Sequence, residues 1–302
     1  EECRAIRQGV GLLDITGLSR YEVTGPNAQA WLDRIMASKL PGPGRARLAP
    51  MLSETGRLKG DLTVLNWGDG TWWIMGSYYL RGWHMRWFND HLEQGVSIRD
   101  LGEEMAGFGL AGPKSRDVIA KLAGEEVTGL PFMGCTAADI GMVRAKVARM
   151  SVTGERGYEI NCRMGDHVAL RRMLLEAGAG EGIRECGFNA MLSTRLEKSF
   201  GIWSAEFTQG YTPGMTGMDR WIDWSKDFTG KDAALAEHDG NGPAQVLVTL
   251  EIDADGADAS GYEPVWSGAD KVGFVTSGGY GHHTGKSLAM ALVNRDLAES
   301  FG

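Results

Sequence analysis

Two turn signals that each join a pair of strand-like segments are the strongest constraint on the fold of this chain. Asp69-Gly70 separates the apolar runs 61–67 and 72–75, and a short Asp-Gly link is typical of a β-hairpin. The segment 153–156 (Thr-Gly-Glu-Arg) separates two further strand-like runs. Hairpins pair neighbouring strands antiparallel, whereas parallel strands need long crossover connections. The sequence therefore predicts an α+β fold with mostly antiparallel sheets.

Helical periodicity and strand-like alternation place further elements along the chain. The predicted helices are an N-terminal one containing Ala5, Ile6, Val10 and Leu13, and others over 26–38, 83–92, 115–122, 168–177 and 188–199. The predicted strands are 20–23, 61–67, 72–75, 108–110, 144–152, 157–162, 245–252, 272–275 and 287–293. A Gly-rich break near 230–242 predicts a core of two subdomains over 1–240 and a β-rich subdomain over 241–302.

Composition limits the function classes and the ligands. The 302 residues carry a net charge of -8, and their basic residues are scattered, which argues against binding to nucleic acid or to a membrane surface. No run approaches the ~20 apolar residues of a membrane span. Four isolated cysteines without ligand spacing indicate reduced thiols and no metal site. These features predict a cytoplasmic protein, or a mitochondrial-matrix one in a eukaryote.

Asp61 is the first candidate catalytic residue. It lies where a turn rich in Gly and charge leads into a strand, and such strand ends often present reactive side chains. Taken alone, the segment fits better an aspartate of a turn that accepts hydrogen bonds from local backbone N–H groups. The sequence does not begin with a start methionine, and no closing element follows its last predicted strand. We therefore expect it to be part of a longer polypeptide with a truncated C-terminal subdomain.

Two motifs that resemble binding sites do not meet their requirements. Residues 279–287 resemble a phosphate loop, but the motif needs glycine where the chain has Tyr280, and the following residues predict a strand rather than a helix. His282 and His283 are neighbours, and neighbouring strand residues point to opposite faces, so we expect no shared metal. Most of the ten tryptophans are expected in the core.

Seven short motifs occur in order over almost the whole chain. They are Arg7-Gln-Gly-Val-Gly-Leu-Leu-Asp14, Tyr21-Glu-Val-Thr-Gly-Pro26, the Asp61 turn, Gly109-Leu-Ala-Gly-Pro113, Gly154-Glu-Arg-Gly-Tyr-Glu159, Arg195-Leu-Glu-Lys198 and Val275-Thr-Ser-Gly-Gly279. Together they resemble the folate-binding aminomethyltransferase family of the glycine cleavage T-protein. The segments 196–203 and 211–213 most resemble the C-terminal, folate-binding half of dimethylglycine and sarcosine dehydrogenases.

The resemblance implies a ring of three subdomains, built from mostly antiparallel sheets and helices, around a central folate channel. It implies tetrahydrofolate as cofactor, and FAD only if a flavin oxidase domain is fused upstream or provided by a partner subunit. The implied substrate is a small methylated amine. The implied reaction forms methylene-tetrahydrofolate, as N5 of the folate attacks an iminium made by oxidative demethylation and N10 then closes the bridge.

The resemblance also assigns roles to individual residues. Asp61 matches the catalytic aspartate, which accepts a hydrogen bond from N10–H and supplies negative charge. Glu159 matches the acid that anchors the pterin edge by paired, charge-assisted hydrogen bonds. Four further residues are candidate folate contacts: Tyr158 of the same motif, Trp73 in place of a family tyrosine, Asn189 near a missing arginine, and Tyr280. Arg195 and Glu197 fit a structural pair on one helix better than a site.

Two other functions remain open on the sequence. Some members of this family transfer a methyl group directly to tetrahydrofolate from a sulfonium or an aryl ether. Others are non-enzymatic folate-binding assembly factors for iron–sulfur proteins, but the cysteine of that branch is absent from the corresponding segment 207–214. FAD on the full-length product would favour the dehydrogenase type.

Overall fold

The computed structural model describes residues 1–300, without the side chain of Tyr78, and has the α+β architecture. Its strands are β1 Gly11–Asp14, β2 Ser19–Thr24, β3 Arg45–Leu52, β4 Leu58–Asn66, β5 Trp72–Gly76, β6 Ser97–Asp100, β7 Met105–Ala111, β8 Cys135–Ile140, β9 Val143–Ala148, β10 Gly157–Arg163, β11 Arg184–Cys186, β12 Gln245–Ile252, β13 Pro264–Ser267, β14 Asp270–Gly281 and β15 Lys286–Asn294. Its helices are α1 Glu2–Gln8, α2 Ala28–Ile35, α3 Arg81–Asp90, α4 Ser115–Ile119, α5 Glu125–Thr128, α6 His167–Gly178, α7 Phe188–Leu196, α8 Pro213–Thr216, α9 Lys231–His238 and α10 Arg295–Glu299.

The residues form two compact units whose segments alternate along the chain. The first contains residues 1–31, 41–47 and 63–192, and the second contains 32–40, 48–62 and 193–302. The predicted division at residue 240 stays a prediction.

A six-stranded sheet forms the centre of the first unit, in the order β11-β1-β7-β10-β9-β8. All its pairs are antiparallel except β1 with β11. One face of this sheet is apolar, and it packs against helix α6 through Leu170 and Leu174 to form the main core of the unit. Because alternate residues of β9 and β10 point into this core, their other side chains lie on the opposite face.

A five-stranded sheet has the order β3-β4-β5-β2-β6. Strands β4 and β5 form the antiparallel hairpin that the Asp69-Gly70 turn predicts, with Asn66 paired to Trp72. The chain crosses from one unit to the other within β3 and within β4.

The second unit contains an antiparallel four-stranded sheet, β12-β15-β14-β13. Its central strand β15 is buried along most of its length. Beside this sheet, Arg195 and Glu206 form a buried ion pair at 2.9 Å. Glu206 also accepts hydrogen bonds from the hydroxyls of Thr276 and Ser277 on β14. The expectation that Arg195 and Glu197 form a structural pair on one helix is corrected at Glu197, because α7 ends at Leu196 and Glu197 accepts the backbone N–H of His283 at 2.7 Å.

Most predicted elements occur, with differences at their ends. The prediction of an α+β fold with mostly antiparallel sheets is confirmed. The N-terminal helix ends at Gln8, so the expectation that it includes Val10 and Leu13 is wrong. Leu13 instead lies on β1, where it pairs with Gly109 and Cys186. Residues 286–294 form a strand, as the rejection of a phosphate loop required.

The four cysteines are buried and free. Their reduced state in the cell stays a prediction. Within residues 1–300, no cluster of three or more His, Cys, Asp or Glu side chains has the arrangement of a metal site. None of the helices described has both the length and the apolar character needed to cross a membrane.

Candidate functional site

Strand β10 carries the acidic residue Glu159. It lies inside the six-stranded sheet, between β7 and β9, so its backbone is paired on both edges. Tyr158 and Ile160 belong to the apolar core of the first unit. The alternation of a strand places Glu159 and Asn161 on the opposite side, which we call the front face.

A buried arginine lies against this front face. Arg20, on β2, has no exposed surface, and its Nε donates a hydrogen bond of 2.7 Å to Oδ1 of Asn161. The other two nitrogens donate to the backbone carbonyls of Ile15, Thr16 and Leu18 at 2.9, 3.1 and 2.8 Å. Every guanidinium nitrogen therefore has a partner, and the planar group is held in one orientation.

Gly107 makes room for this arrangement. It pairs with Asn161 across β7 and β10. A Cβ atom at residue 107 would lie 2.9 Å from Nη2 of Arg20 and 3.0 Å from Oδ1 of Asn161. Because both groups are fixed by hydrogen bonds, only glycine fits at this position without moving them.

Glu159 has a buried oxygen without a protein donor. Among residues 1–300, no group donates a hydrogen bond to its Oε2 atom. Burial raises the pKa of Glu159 from 4.5 to about 7, and the positive charge of Arg20 offsets only part of this rise. A buried acceptor left unpaired costs about 1–3 kcal/mol. A ligand that donates N–H groups to this carboxylate would recover that free energy.

Two tryptophans and a lysine lie on the same side of the sheet. Lys146 is paired with Asn161 across β9 and β10, so their side chains share the front face. The Lys146 Nζ lies 4.4 Å from the ring centroid of Trp67 and 5.3 Å from that of Trp73. The two indole rings meet edge to face, with their centroids 5.2 Å apart. This group forms a cation–π cluster in the first unit.

Trp73 is a component of this cluster and is 1% exposed. Its Nε1 lies 3.4 Å from Oε2 of Glu22. It shares a core cluster with Ala148, and Ala148 is the residue that pairs with Glu159. The structure therefore brings Trp73 to the front face near Glu159, and its role as a folate contact stays a prediction.

Asp61 lies inside a strand rather than at its start. Strand β4 begins at Leu58, three residues earlier than expected, and Asp61 is on its more accessible side. Burial raises the pKa of this carboxyl from 3.8 to about 7, and its own backbone N–H opposes the rise. The side chain keeps some solvent contact, so the raised pKa reflects crowding by protein rather than complete enclosure. A carboxyl with a pKa near 7 can take up or release a proton at neutral pH.

The structure does not bring all the predicted site residues together. Tyr158 points into the core, away from Glu159. Asn189 is exposed on α7, and no described contact joins it to Glu159. Tyr280 lies on β14 of the second unit, with its ring edge-on to His282. The roles of these three residues toward folate stay predictions.

Sequence reasoning missed Arg20 and Asn161. In the sequence, Arg20 belongs to a strand-like run in which Arg20 and Glu22 alternate with apolar residues, a pattern that indicates a solvent-facing side. The partner of Arg20 lies 141 residues away in the chain. Asn161 carries a better signal, because it is two residues after Glu159 on a predicted strand and must share its face.

Comparisons with known proteins identify the family. A model described as the GCVT N-terminal domain matches residues 1–226, and one described as the glycine cleavage T-protein C-terminal barrel domain matches residues 245–300. The chain belongs to the glycine cleavage T-protein family. The family resemblance that the motifs predicted is confirmed.

Its curated relatives in this family are of two kinds. Mitochondrial dimethylglycine dehydrogenase of Rattus norvegicus is 32% identical over 99% of this chain, which matches 36% of that protein. Aminomethyltransferase of Geobacillus sp. (strain WCH70) is 31% identical over 99% of this chain and 83% of its own length. The chain thus spans about a third of the dehydrogenase and most of the aminomethyltransferase.

A solved structure shares the fold. The glycine cleavage system aminomethyltransferase T from Bartonella henselae superimposes with a TM-score of 0.87 at 23% identity, covering 97% of this chain and 80% of that one. Membership of the aminomethyltransferase family implies use of tetrahydrofolate. The partnerless Oε2 of Glu159 fits that group, because the pterin edge presents neighbouring N–H donors.

The two raised pKa values predict a pH dependence of stability. Both carboxyls titrate near 4 in the unfolded chain and near 7 in the fold, so their favourable contribution is complete at low pH and is lost as the pH rises through 7. Asp61→Asn and Glu159→Gln should therefore each raise the free energy of unfolding at pH 8 relative to the parent protein, by roughly 2 kcal/mol after allowance for partial solvent access. At pH 5 the gain should be smaller. Urea denaturation at both pH values measures it.

The control for this measurement is Asp227→Asn, because the Asp227 side chain is fully exposed. Its stability relative to the parent should change little between pH 5 and pH 8. Equal pH profiles for the parent, Asp61→Asn and Glu159→Gln proteins would show that neither carboxyl is held protonated by the fold.

Proposed function

We propose that the chain is a tetrahydrofolate-dependent one-carbon transferase that forms methylene-tetrahydrofolate from the iminium, or the equivalent formaldehyde, of an oxidatively demethylated glycine derivative. Overall, the methylene iminium (R₂N⁺=CH₂) and tetrahydrofolate, which loses its N5 and N10 hydrogens, give the demethylated amine, methylene-tetrahydrofolate and one proton. The observation that carries the proposal is the partnerless acceptor of Glu159 on the front face. By resemblance, Glu159 matches the acid that anchors the pterin in this family.

In this proposal Glu159 binds and orients the pterin. Its carboxylate accepts two parallel N–H donors, and such charge-assisted pairs are the strong hydrogen bonds of proteins. The positive charge of Arg20 favours the ionised form of Glu159. Arg20 does not donate to Oε2, because its own nitrogens donate to Asn161 and to backbone carbonyls. That division leaves the acceptor available to a ligand.

Asp61 is the proposed catalytic residue. Bound tetrahydrofolate would supply the two nitrogens, N5 and N10, that the one-carbon unit bridges. The carboxylate of Asp61 would accept the hydrogen bond of N10–H, take its proton, and stabilise positive charge that develops during transfer. Its pKa of about 7 suits proton uptake at neutral pH.

The substrate assignment rests on the dehydrogenase-like segments 196–203 and 211–213 and on the dimethylglycine dehydrogenase relatives. In that arrangement a flavin oxidase domain or partner subunit, with FAD, would generate the iminium. The aminomethyltransferase relatives, at nearly the same identity, support a second candidate in which the one-carbon donor is an aminomethyl group.

Donor specificity tests the proposal. The protein is incubated with tetrahydrofolate and either formaldehyde, dimethylglycine with a flavin oxidase, or a methyl sulfonium, and methylene- and methyl-tetrahydrofolate are quantified by mass spectrometry. We expect methylene-tetrahydrofolate only from the first two, faster than without protein. Methyl-tetrahydrofolate from the sulfonium would favour the direct demethylase, and tight folate binding without turnover would favour a folate-binding assembly factor.

Glu159→Ala should weaken tetrahydrofolate binding by roughly 10–100-fold, the value of a lost charge-assisted hydrogen bond. Because the ionised carboxylate is the form that accepts both donors, affinity in the parent protein should increase as the pH rises through 7. Glu159→Gln should remove that pH dependence. Equilibrium titration under anaerobic conditions at pH 6 and pH 8 measures both effects.

Glu176→Ala is the matched control, because Glu176 is an exposed acid on α6 of the same unit. Its affinity should equal that of the parent protein. Unchanged folate affinity in Glu159→Ala would remove Glu159 from the binding site.

A further inference from the structure

A small pocket opens on the other side of strand β10 from Glu159, within the first unit. It is open to solvent, has a volume of about 260 Å³, and is lined by Arg116, Arg149, Arg156, Tyr158, Thr128 and the turn 129–131. Helix α4 provides Arg116. Arg149 directly follows β9, and Arg156 directly precedes β10. No acidic residue lines this pocket.

The three arginines lack carboxylate partners. Within residues 1–300, no ion pair or side-chain hydrogen bond involves the guanidinium of Arg116, Arg149 or Arg156. Glu155, which precedes Arg156, is already paired with Arg7 at 3.0 Å. Arg116 and Arg156 are exposed at the mouth of the pocket, and Arg149 is half-buried. Their charges are therefore available to an anion.

A buried hydroxyl at the same place also lacks a partner. Tyr158 is completely buried, and no described group forms a hydrogen bond with its phenolic oxygen. Burial raises the pKa of this phenol, whereas the charges of Arg149, Arg156 and Arg116 lower it, so all three guanidiniums act on the hydroxyl. A buried tyrosine hydroxyl usually has a hydrogen-bond partner. A ligand oxygen would provide that partner.

We propose that this pocket binds a multiply charged oxyanion of the phosphate class. Guanidinium groups match phosphate oxygens with paired N–H donors, and several of them are needed to neutralise a dianion. The pocket volume of about 260 Å³ is several times the ~30 Å³ share of one water, so this open pocket has room for a phosphoryl group and part of the molecule that carries it.

This site is independent of the proposed folate function. Tyr158 and Glu159 are consecutive residues of a strand, so their side chains lie on opposite faces of the sheet. The inference also gives Tyr158 a role that differs from the folate contact predicted from the sequence. Loss of phosphate binding with normal folate binding, or the reverse, would separate the two proposals.

Isothermal titration calorimetry with inorganic phosphate and pyrophosphate, at constant ionic strength set with chloride, tests the site. We expect saturable 1:1 binding that is weakened roughly tenfold or more by Arg116→Gln or Arg149→Gln, the value of a lost charge-assisted bond. Tyr158→Phe should weaken binding several-fold. Arg163→Gln, which removes the same charge from the exposed end of β10, should leave binding unchanged.

Three results would overturn the proposal. They are no saturable binding to the parent protein, equal binding in the pocket variants and Arg163→Gln, and tighter binding of citrate or of an acidic peptide than of pyrophosphate. A second readout uses only the parent protein. Phenylglyoxal modification followed by peptide mass spectrometry should show pyrophosphate protecting Arg116, Arg149 and Arg156 but not Arg163, and uniform modification would also count against the site.

Discussion

Asp61→Asn is expected to lower the rate of methylene-tetrahydrofolate formation by ~10²-fold or more, the usual effect of losing a preorganised charge-stabilising group. The amide has nearly the same shape, so the fold should be kept, with the gain in stability at pH 8 predicted above, and folate affinity should stay within a few-fold of the parent value. The amide cannot take a proton or supply negative charge. Single-turnover rates with formaldehyde and tetrahydrofolate measure the effect.

The pH profile sharpens this test. In the parent protein the rate should increase as the pH rises through about 7, because the ionised carboxylate is the active form. This increase of the rate with pH should be absent from the Asp61→Asn protein. Asp69→Asn is the matched control, because Asp69 is an exposed aspartate in the turn at the end of the same strand. A normal rate in Asp61→Asn would exclude Asp61 from the mechanism.

Arg20→Met is expected to destabilise the protein by about 3–5 kcal/mol, as is typical when one partner of a buried charged network is removed. The substitution leaves Asn161 and three backbone carbonyls without their donor. It also removes the positive charge that opposes the raised pKa of Glu159, so that pKa should rise further. Chemical denaturation measures the first effect, and the pH dependence of folate binding measures the second.

The neighbouring strand offers a control for Arg20→Met. Arg99 on β6 pairs with Glu22 and Glu104, but its side chain is 53% exposed. Arg99→Met should therefore cost less than about 1 kcal/mol. Equal destabilisation by the two substitutions would mean that the Arg20 network contributes no more than a surface ion pair.

Local signals were sufficient for much of the fold. The hairpins β4–β5 and β9–β10 could be predicted because glycine-containing turns fix the pairing of adjacent strands. The N-terminal helix was extended too far because Val10 and Leu13 suit helical spacing as well as a strand. Pairing of β1 with β7 and β11, which are distant in sequence, decides between the two.

The candidate site was predictable only where a motif lies on a strand. Glu159 followed from such a motif, and Asn161 could have followed from the alternation. Arg20 could not, because an arginine on an alternating strand usually faces solvent and its burial depends on partners far along the chain. The three pocket arginines come from α4 and from the connection between β9 and β10, so they come together only in the folded chain.

The buried pair of Arg195 and Glu206 has a consequence for how the chain can be shortened. Glu206 is completely enclosed, and two of its four hydrogen-bond donors belong to β14. Deleting the residues after 240 would remove β14, and with it two hydrogen-bond donors of the Glu206 carboxyl. A fragment would then hold the Arg195–Glu206 pair without these partners, which is destabilising. Expression boundaries should accordingly keep residues 193–206 and strands β12 to β15 on the same polypeptide.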